Sequence, residues 1–239
     1  FEEIFIPLAI SFFTFQQVAL LIDAHDGQIK RVKFLDFATF VILFPQLIAG
    51  PIVLYREMDK QLQSLRKDGG VGLSLFGLGV VTFILGLFKK VALADGIAPF
   101  ADSVFGVADQ LTMLEAWGGV IAYTLQLYFD FSGYSDMAVG LGMMFGLLLP
   151  INFNLPYRAT SMIDFWKRWH ITMTRFFMMY LYSPISLSIM RKSILNDWSK
   201  HKQFLLAIVM PIVITFLASG LWHGAAWTFV IFGAVNAFG

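Results

Sequence analysis

Long apolar stretches alternate with short polar connectors along this chain. The apolar stretches lie at 4–22, 34–54, 71–88, 117–129, 137–151, 176–190, 204–222 and 224–238; polar connectors lie at 23–33, 55–70, 89–116, 152–175 and 191–203. About 20 apolar residues suffice for a helix to cross a bilayer. Helix is the expected form, because backbone in lipid must satisfy its own hydrogen bonds. The pattern predicts an all-α, polytopic membrane protein with no internal repeat and no low-complexity segment.

Composition sharpens that picture. Of 239 residues, 58% are hydrophobic and 14% charged, against about 25% charged in an average soluble domain. The mean hydropathy is +0.72. Too few polar residues are present to cover a water-facing surface. Lys and Arg number 17 against 16 Asp and Glu, a net charge of +1, so no basic excess points to nucleic acid. The absence of cysteine excludes disulfides, thiolate nucleophiles and cysteine metal sites. The chain opens at Phe1 and ends at Gly239 inside an apolar stretch. That reads as one membrane-embedded core over 1–239, a fragment of a longer chain.

Charge placement predicts irregular membrane segments. Lys30, Arg31 and Lys33 precede the 34–54 stretch, and Arg56, Lys60, Arg66 and Lys67 follow it. Basic flanks face the cytoplasm, yet one crossing would separate them. Pro45, Gly50 and Pro51 therefore predict a stretch that enters and returns, or lies tilted, as buried irregular backbone. The 71–88 stretch reads as a clean span, and the 89–116 connector as a loop with acidic excess on the far side. The 117–151 region is too long for one helix, and FDFSGYSD at 129–136 is expected to cut it. The 176–190 stretch contains Pro184 between two basic flanks and predicts an interfacial or re-entrant helix. Spanning, broken and re-entrant helices together suggest a chamber inside the bilayer.

Polar groups at membrane depth are candidate functional sites. In SGLWHGAAW at 219–227, His223 lies between two apolar stretches, flanked by Gly220, Gly224, Trp222 and Trp227. An imidazole there can accept a proton, or it can sit in a surface turn within an aromatic belt. In DFWKRWHITMTRFF at 164–177, helical spacing sets Trp166, Trp169 and Met173 on one side with His170 nearby, and Arg168 and Arg175 on the other. That pattern fits a catalytic His170 or a basic amphipathic helix at the headgroups. In YFDFSGYSD at 128–136, Asp130, Ser132, Tyr134 and Asp136 form either a pocket wall or a helix-capping turn. No metal-ligand spacing, serine elbow, P-loop or dinucleotide fingerprint is present. What remains is general-base chemistry by histidine in a dry site.

Five stretches in order resemble the membrane-bound O-acyltransferase family. They are FFTFQQVALLID (12–23), FPQLIAGPIVLYREM (44–58), LQLYFDFSGYSDMAVGLGMMFG (125–146), LPINFNLPYRATSMIDFWKRWHITMTRFF (149–177) and GLWHGAAWTFVIFGAVN (220–236). The bacterial branch of alginate O-acetyltransferase is most similar, with the teichoic acid D-alanyl transfer protein related. The resemblance departs after WHIT, where Met178 and Met179 stand at positions that are charged in the branch, and Ile185 and Ser186 follow Pro184.

The resemblance implies transfer of an acetyl or other short acyl group from a cytoplasmic thioester donor, acetyl-CoA or a relative, to hydroxyls of an extracytoplasmic polysaccharide. It implies no tightly bound cofactor, a multi-pass location in the bacterial inner membrane, contact with membrane lipid and periplasmic accessory acetylation proteins. The family's near-invariant histidine matches His223, and its second polar residue matches His170. Trp222, Trp227 and Trp166 would shape the site, and Arg158 and Arg168 are candidates for donor phosphates. The competing class is a transporter or flippase for a polysaccharide precursor, whose helices are also broken.

Overall fold

The computed structural model describes residues 10–46, 50–68, 70–107 and 111–238. The first residues of the 4–22 stretch, positions 47–49 of the 34–54 stretch and positions 108–110 lie outside the described residues. All regular structure among the described residues is helical. Two helices, Leu73–Phe105 and Lys200–His223, are long and apolar enough to cross a membrane. The chain divides into two compact units, Phe1–Asn154 and Leu155–Gly239.

In the first unit, α1 (Ile10–His25) and α2 (Phe34–Ile42) pack against α3 (Tyr55–Asp68). Helix α2 stops before Leu43; a single 3-10 turn, Phe44–Gln46, follows. Gly50 to Leu54 is buried without helical structure. Irregular backbone shielded by protein is thus what Pro45, Gly50 and Pro51 produce here. Val53 of this segment joins the core, buried with Phe40 of α2, Tyr55 and Met58 of α3, and Leu20, Val139, Leu147 and Leu149. Phe40 and Tyr55 meet edge-on at 5.5 Å.

The polar helix α3 is tied to its neighbours by charge. Arg56 pairs with Asp23 at 3.3 Å, and Arg66 pairs with the fully buried carboxylate of Asp36. Gln61 donates to the Leu148 carbonyl at 3.1 Å and accepts from the Leu148 N–H at 2.6 Å.

The connector expected at 89–116 is largely helical. Helix α4 (Leu73–Phe88) runs through a π segment, Lys89–Ala94, into α5 (Asp95–Phe105). The whole is 33 residues, roughly 50 Å at 1.5 Å per residue. The break expected at 129–136 is also absent. Helix α6 (Met113–Met144) crosses that segment without interruption; it starts at a Thr112–Glu115 capping box.

The physical reason lies in the contact between α4 and α6. A Cβ on Gly133 would stand 2.7 Å from the Gly86 carbonyl oxygen, and one on Gly140 would stand 2.6 Å from the Phe83 nitrogen. Glycine in this segment provides close helix approach rather than a turn. Ion pairs reinforce the crossing: Lys89 with Asp136 at 2.5 Å, and Lys90 with Asp130 at 2.6 Å.

The second unit is built on two long helical runs. Helix α7 (Met162–Trp166) is a single turn. Helix α8 (Ile171–Phe177), a π segment (Met178–Tyr182) and α9 (Ser183–Leu195) follow one another without a gap. Helical backbone thus runs from 171 to 195, roughly 37 Å, longer than the apolar 176–190 stretch. Helix α10 (Lys200–Phe204) continues through the π segment Leu205–Val209 into α11 (Met210–His223). After a short turn, α12 (Trp227–Phe238) packs back on α11. Pro184 and Pro211 each stand two residues past a π segment. Proline cannot donate, and its ring collides with the carbonyl four residues back. A wider π turn relieves that collision, so both helices continue past their prolines.

Candidate active site

The segment expected as one amphipathic helix over 164–177 is two helices with a sharp turn between them. Ser161 caps α7, its hydroxyl accepting from the Asp164 N–H at 3.1 Å. The Asp164 carboxylate accepts from the Thr160 N–H at 3.4 Å and from Arg168 Nε at 2.9 Å. The bond from Arg168 holds this carboxyl below its ordinary value. The N–H groups of Arg168 and Trp169 then converge on the Phe165 carbonyl, both at 2.9 Å. His170 follows in the left-handed region at φ 44°, ψ 52°. Its carbonyl accepts from the N–H groups of Met173 and Thr174 at 3.1 Å, which starts α8.

A left-handed residue other than glycine is uncommon, and strain of this kind gathers at functional sites. The turn drives the His170 side chain inward: the residue is 1% exposed. Its ring meets the Trp222 indole at 6.2 Å, with planes 60° apart.

His223 arrives from the opposite direction in the chain, as the last residue of α11. Its ring lies 4.7 Å from that of Trp222. One indole therefore adjoins both imidazoles. Phe229 stacks beside His223 at 6.3 Å and 19°, and Phe232 meets it edge-on at 5.7 Å. His170 is enclosed, whereas His223 is exposed. The pair has one imidazole fixed in the protein and one open to an arriving group.

Of the remaining candidates in this unit, Trp166 packs edge-on against Phe216 at 5.6 Å. Its indole N–H is buried without a hydrogen-bond partner among the described residues. Arg168 is engaged by Asp164, Arg158 is exposed at the end of a 3-10 turn, and Trp227 is 80% exposed at the start of α12. Asp130, Ser132, Tyr134 and Asp136 belong to α6 in the first unit. There Asp130 and Asp136 are ion-paired with Lys90 and Lys89, Ser132 is fully buried and Tyr134 is half-buried.

The sequence reading did not single out Phe229 or Phe232, and it took Lys89 and Lys90 as charges of the 89–116 connector rather than as partners of Asp136 and Asp130. A helix folding back after Gly224 was the available signal for the two phenylalanines. Two lysines closing an apolar stretch, with aspartates in the next, were the signal for the ion pairs.

Two helices apolar and long enough to cross a membrane, and two histidines gathered in an aromatic cluster, mark a protein of the membrane-embedded class. The chain belongs to the membrane-bound O-acyltransferase family, whose model matches residues 1–239. It is 42% identical over 259 residues to the peptidoglycan O-acetyltransferase of Helicobacter pylori, covering 98% of this chain and 46% of that protein. It is 42% identical over 233 residues to the probable alginate O-acetylase AlgI of Azotobacter vinelandii, covering 97% of this chain and 43% of that protein. A teichoic acid D-alanyltransferase of Streptococcus thermophilus is 26% identical over 240 residues, covering 97% of this chain and 55% of that protein. The chain spans about half the length of the curated relatives it matches.

Proposed function

We propose that this protein is a multi-pass O-acyltransferase of the bacterial inner membrane. It moves an acetyl or other short acyl group from a cytoplasmic thioester, acetyl-CoA or a related donor, to hydroxyls of an extracytoplasmic polysaccharide. The observation that carries the reading is the meeting of His170 and His223 on one indole, Trp222, from positions 53 residues apart in sequence. The naming of relatives as acetylases of peptidoglycan and alginate supports the acyl group and the class of acceptor.

In this mechanism His223, the exposed imidazole, takes the proton from the acceptor hydroxyl as its oxygen bonds to the thioester carbonyl carbon. The tetrahedral adduct collapses, the carbon–sulfur bond breaks, and the imidazolium returns the proton to the departing sulfur. A free alcohol is a poor nucleophile near neutral pH, and a positioned base contributes roughly 10²–10⁴-fold. His170 and the Trp166 N–H are candidate donors to the developing oxyanion. Trp222 and the neighbouring phenylalanines exclude water, which limits thioester hydrolysis. Arg158 and Arg168 are candidate contacts for donor phosphates, Asp130, Ser132, Tyr134, Asp136 and Trp227 candidate contacts along the substrate path, and periplasmic accessory proteins candidate partners.

The test uses membranes that contain the full protein, radiolabelled acetyl-CoA and polysaccharide. Label on the polymer, lost at least 10²-fold in His223→Ala while the protein remains folded, is the expected result. Transfer by that variant at the parental rate overturns the assignment. Uptake of substrate into vesicles with no label on the polymer overturns the enzyme reading altogether.

A further inference from the structure

We infer that α12 is the element that orients the His223 imidazole, with Phe229 and Phe232 as positioning residues for the base. The inference rests on the reading of His223 as the base. The contacts that the described residues make with this imidazole are ring contacts. Trp222 meets it from the preceding position, Phe229 lies nearly parallel to it at 19°, and Phe232 presses edge-on at 83°. A stacked ring and a perpendicular ring restrict rotation about the two side-chain torsions of His223. In many hydrolases a hydrogen-bonded carboxylate gives a histidine base that restraint. Offset-stacked and edge-to-face pairs each contribute about 0.5–1.5 kcal/mol, so the bracketed orientation is favoured over its alternatives.

The backbone is cut to allow this bracket. A Cβ on Gly224 would overlap the Phe229 ring, and one on Gly220 would overlap the Phe229 carbonyl. One on Gly233 would stand 3.1 Å from the Leu217 Cα. Gly220 and Gly233 thus permit α12 to lie against α11 at backbone contact, the spacing at which both phenylalanines reach His223, and Gly224 leaves room for the Phe229 ring. Gly233 of α12 is buried against the Phe216 and Leu217 backbone of α11. The aromatic residues act through His223, so they are positioning residues and need no contact with substrate.

The experiment measures steady-state acyl transfer by the full protein in lipid nanodiscs for Phe229→Leu, Phe232→Leu, Gly224→Ala and His223→Ala, with thermal unfolding recorded for each. A misplaced base should lower kcat by about 10–100-fold with the donor KM within about twofold, and Phe232→Tyr should recover most of the loss. The acidic limb of the kcat–pH profile, which reports the base in the bound complex, should move in Phe229→Leu and Phe232→Leu. Should either leucine variant fail to fold, Gly224→Ala carries the test, because it displaces the Phe229 ring and leaves both phenylalanines in place. Folded variants that keep the parental kcat and pH profile beside an inactive His223→Ala overturn this inference alone. An active His223→Ala overturns it together with the base assignment.

Discussion

His170 and Trp222 meet edge to face, ring centroids 6.2 Å apart, although His170 closes a tight turn and Trp222 lies one residue from the end of α11. The contact links the enclosed imidazole to the open one, because Trp222 also adjoins His223. Replacing Trp222 by Phe keeps an aromatic ring at that position; replacing it by Ala removes it. Acyl transfer by Trp222→Phe should stay within about tenfold of the parent, whereas Trp222→Ala should lose roughly 10²-fold through misplacement of the pair. Equal rates for the two variants would show that the ring links nothing.

The left-handed backbone at His170 makes a second prediction separable from chemistry. Asn tolerates this conformation and a β-branched residue does not. His170→Val should cost about 1–3 kcal/mol more in stability than His170→Asn, read by thermal unfolding in detergent. Both variants lack the imidazole and should lose activity alike.

The glycine contact between α4 and α6 sets a third. The Gly133 backbone leaves no room for a side chain beside Gly86. Overpacking at such a contact costs about 1–3 kcal/mol. Gly133→Val should lower the melting temperature, while Gly118→Val on the same helix, where a Cβ meets nothing, should change it little.

The ion pairs beside that crossing predict non-additive effects. Lys90→Met leaves the Asp130 carboxylate of α6 without the cation that faces it from the π segment, and Asp130→Asn leaves Lys90 with Asp95. An uncompensated charge in a spanning segment is costly, and removing one partner of a pair is worse than removing both. The double variant Lys90→Met with Asp130→Asn should therefore express and melt closer to the parent than Lys90→Met alone.

Asp164 gives the pH prediction. Arg168 holds its carboxyl below the ordinary value, with smaller help from the Thr160 N–H. A depressed carboxylate contributes stability that is complete above its unfolded value and lost as pH falls through the lower folded value. Between neutral pH and about 5 the contribution should be constant, and it should fade in more acidic solution. Thermal unfolding across that range should show a smaller acid loss in Asp164→Asn than in the parent.

Much of this was legible in the amino-acid order. The long continuous apolar stretches and low charge mark an all-helical membrane protein, since such a stretch satisfies its backbone in hydrocarbon as a helix. The stretch GLWHGAAW placed His223 at the junction of two apolar elements, where α11 ends and α12 begins. Local signals were weaker where a residue has two uses. Gly133 read as a break because glycine frees the chain, yet in α6 it admits another backbone. Pro184 read as the mark of an interfacial or re-entrant helix, yet it follows a π turn that takes up the collision, and the helix runs on. His170 read as part of one long helix, yet its positive φ splits that helix in two.

The kinds of group at the site, two imidazoles and several indoles, are fixed by the sequence alone. Their arrangement is not. Helical periodicity relates residues within a few turns, whereas His170, Trp222, Phe229 and Phe232 come from three helices joined through a long antiparallel run. Backbone contact at Gly220 and Gly233 sets how near α11 and α12 lie, Gly224 leaves room for the Phe229 ring, and together these decide which rings touch which.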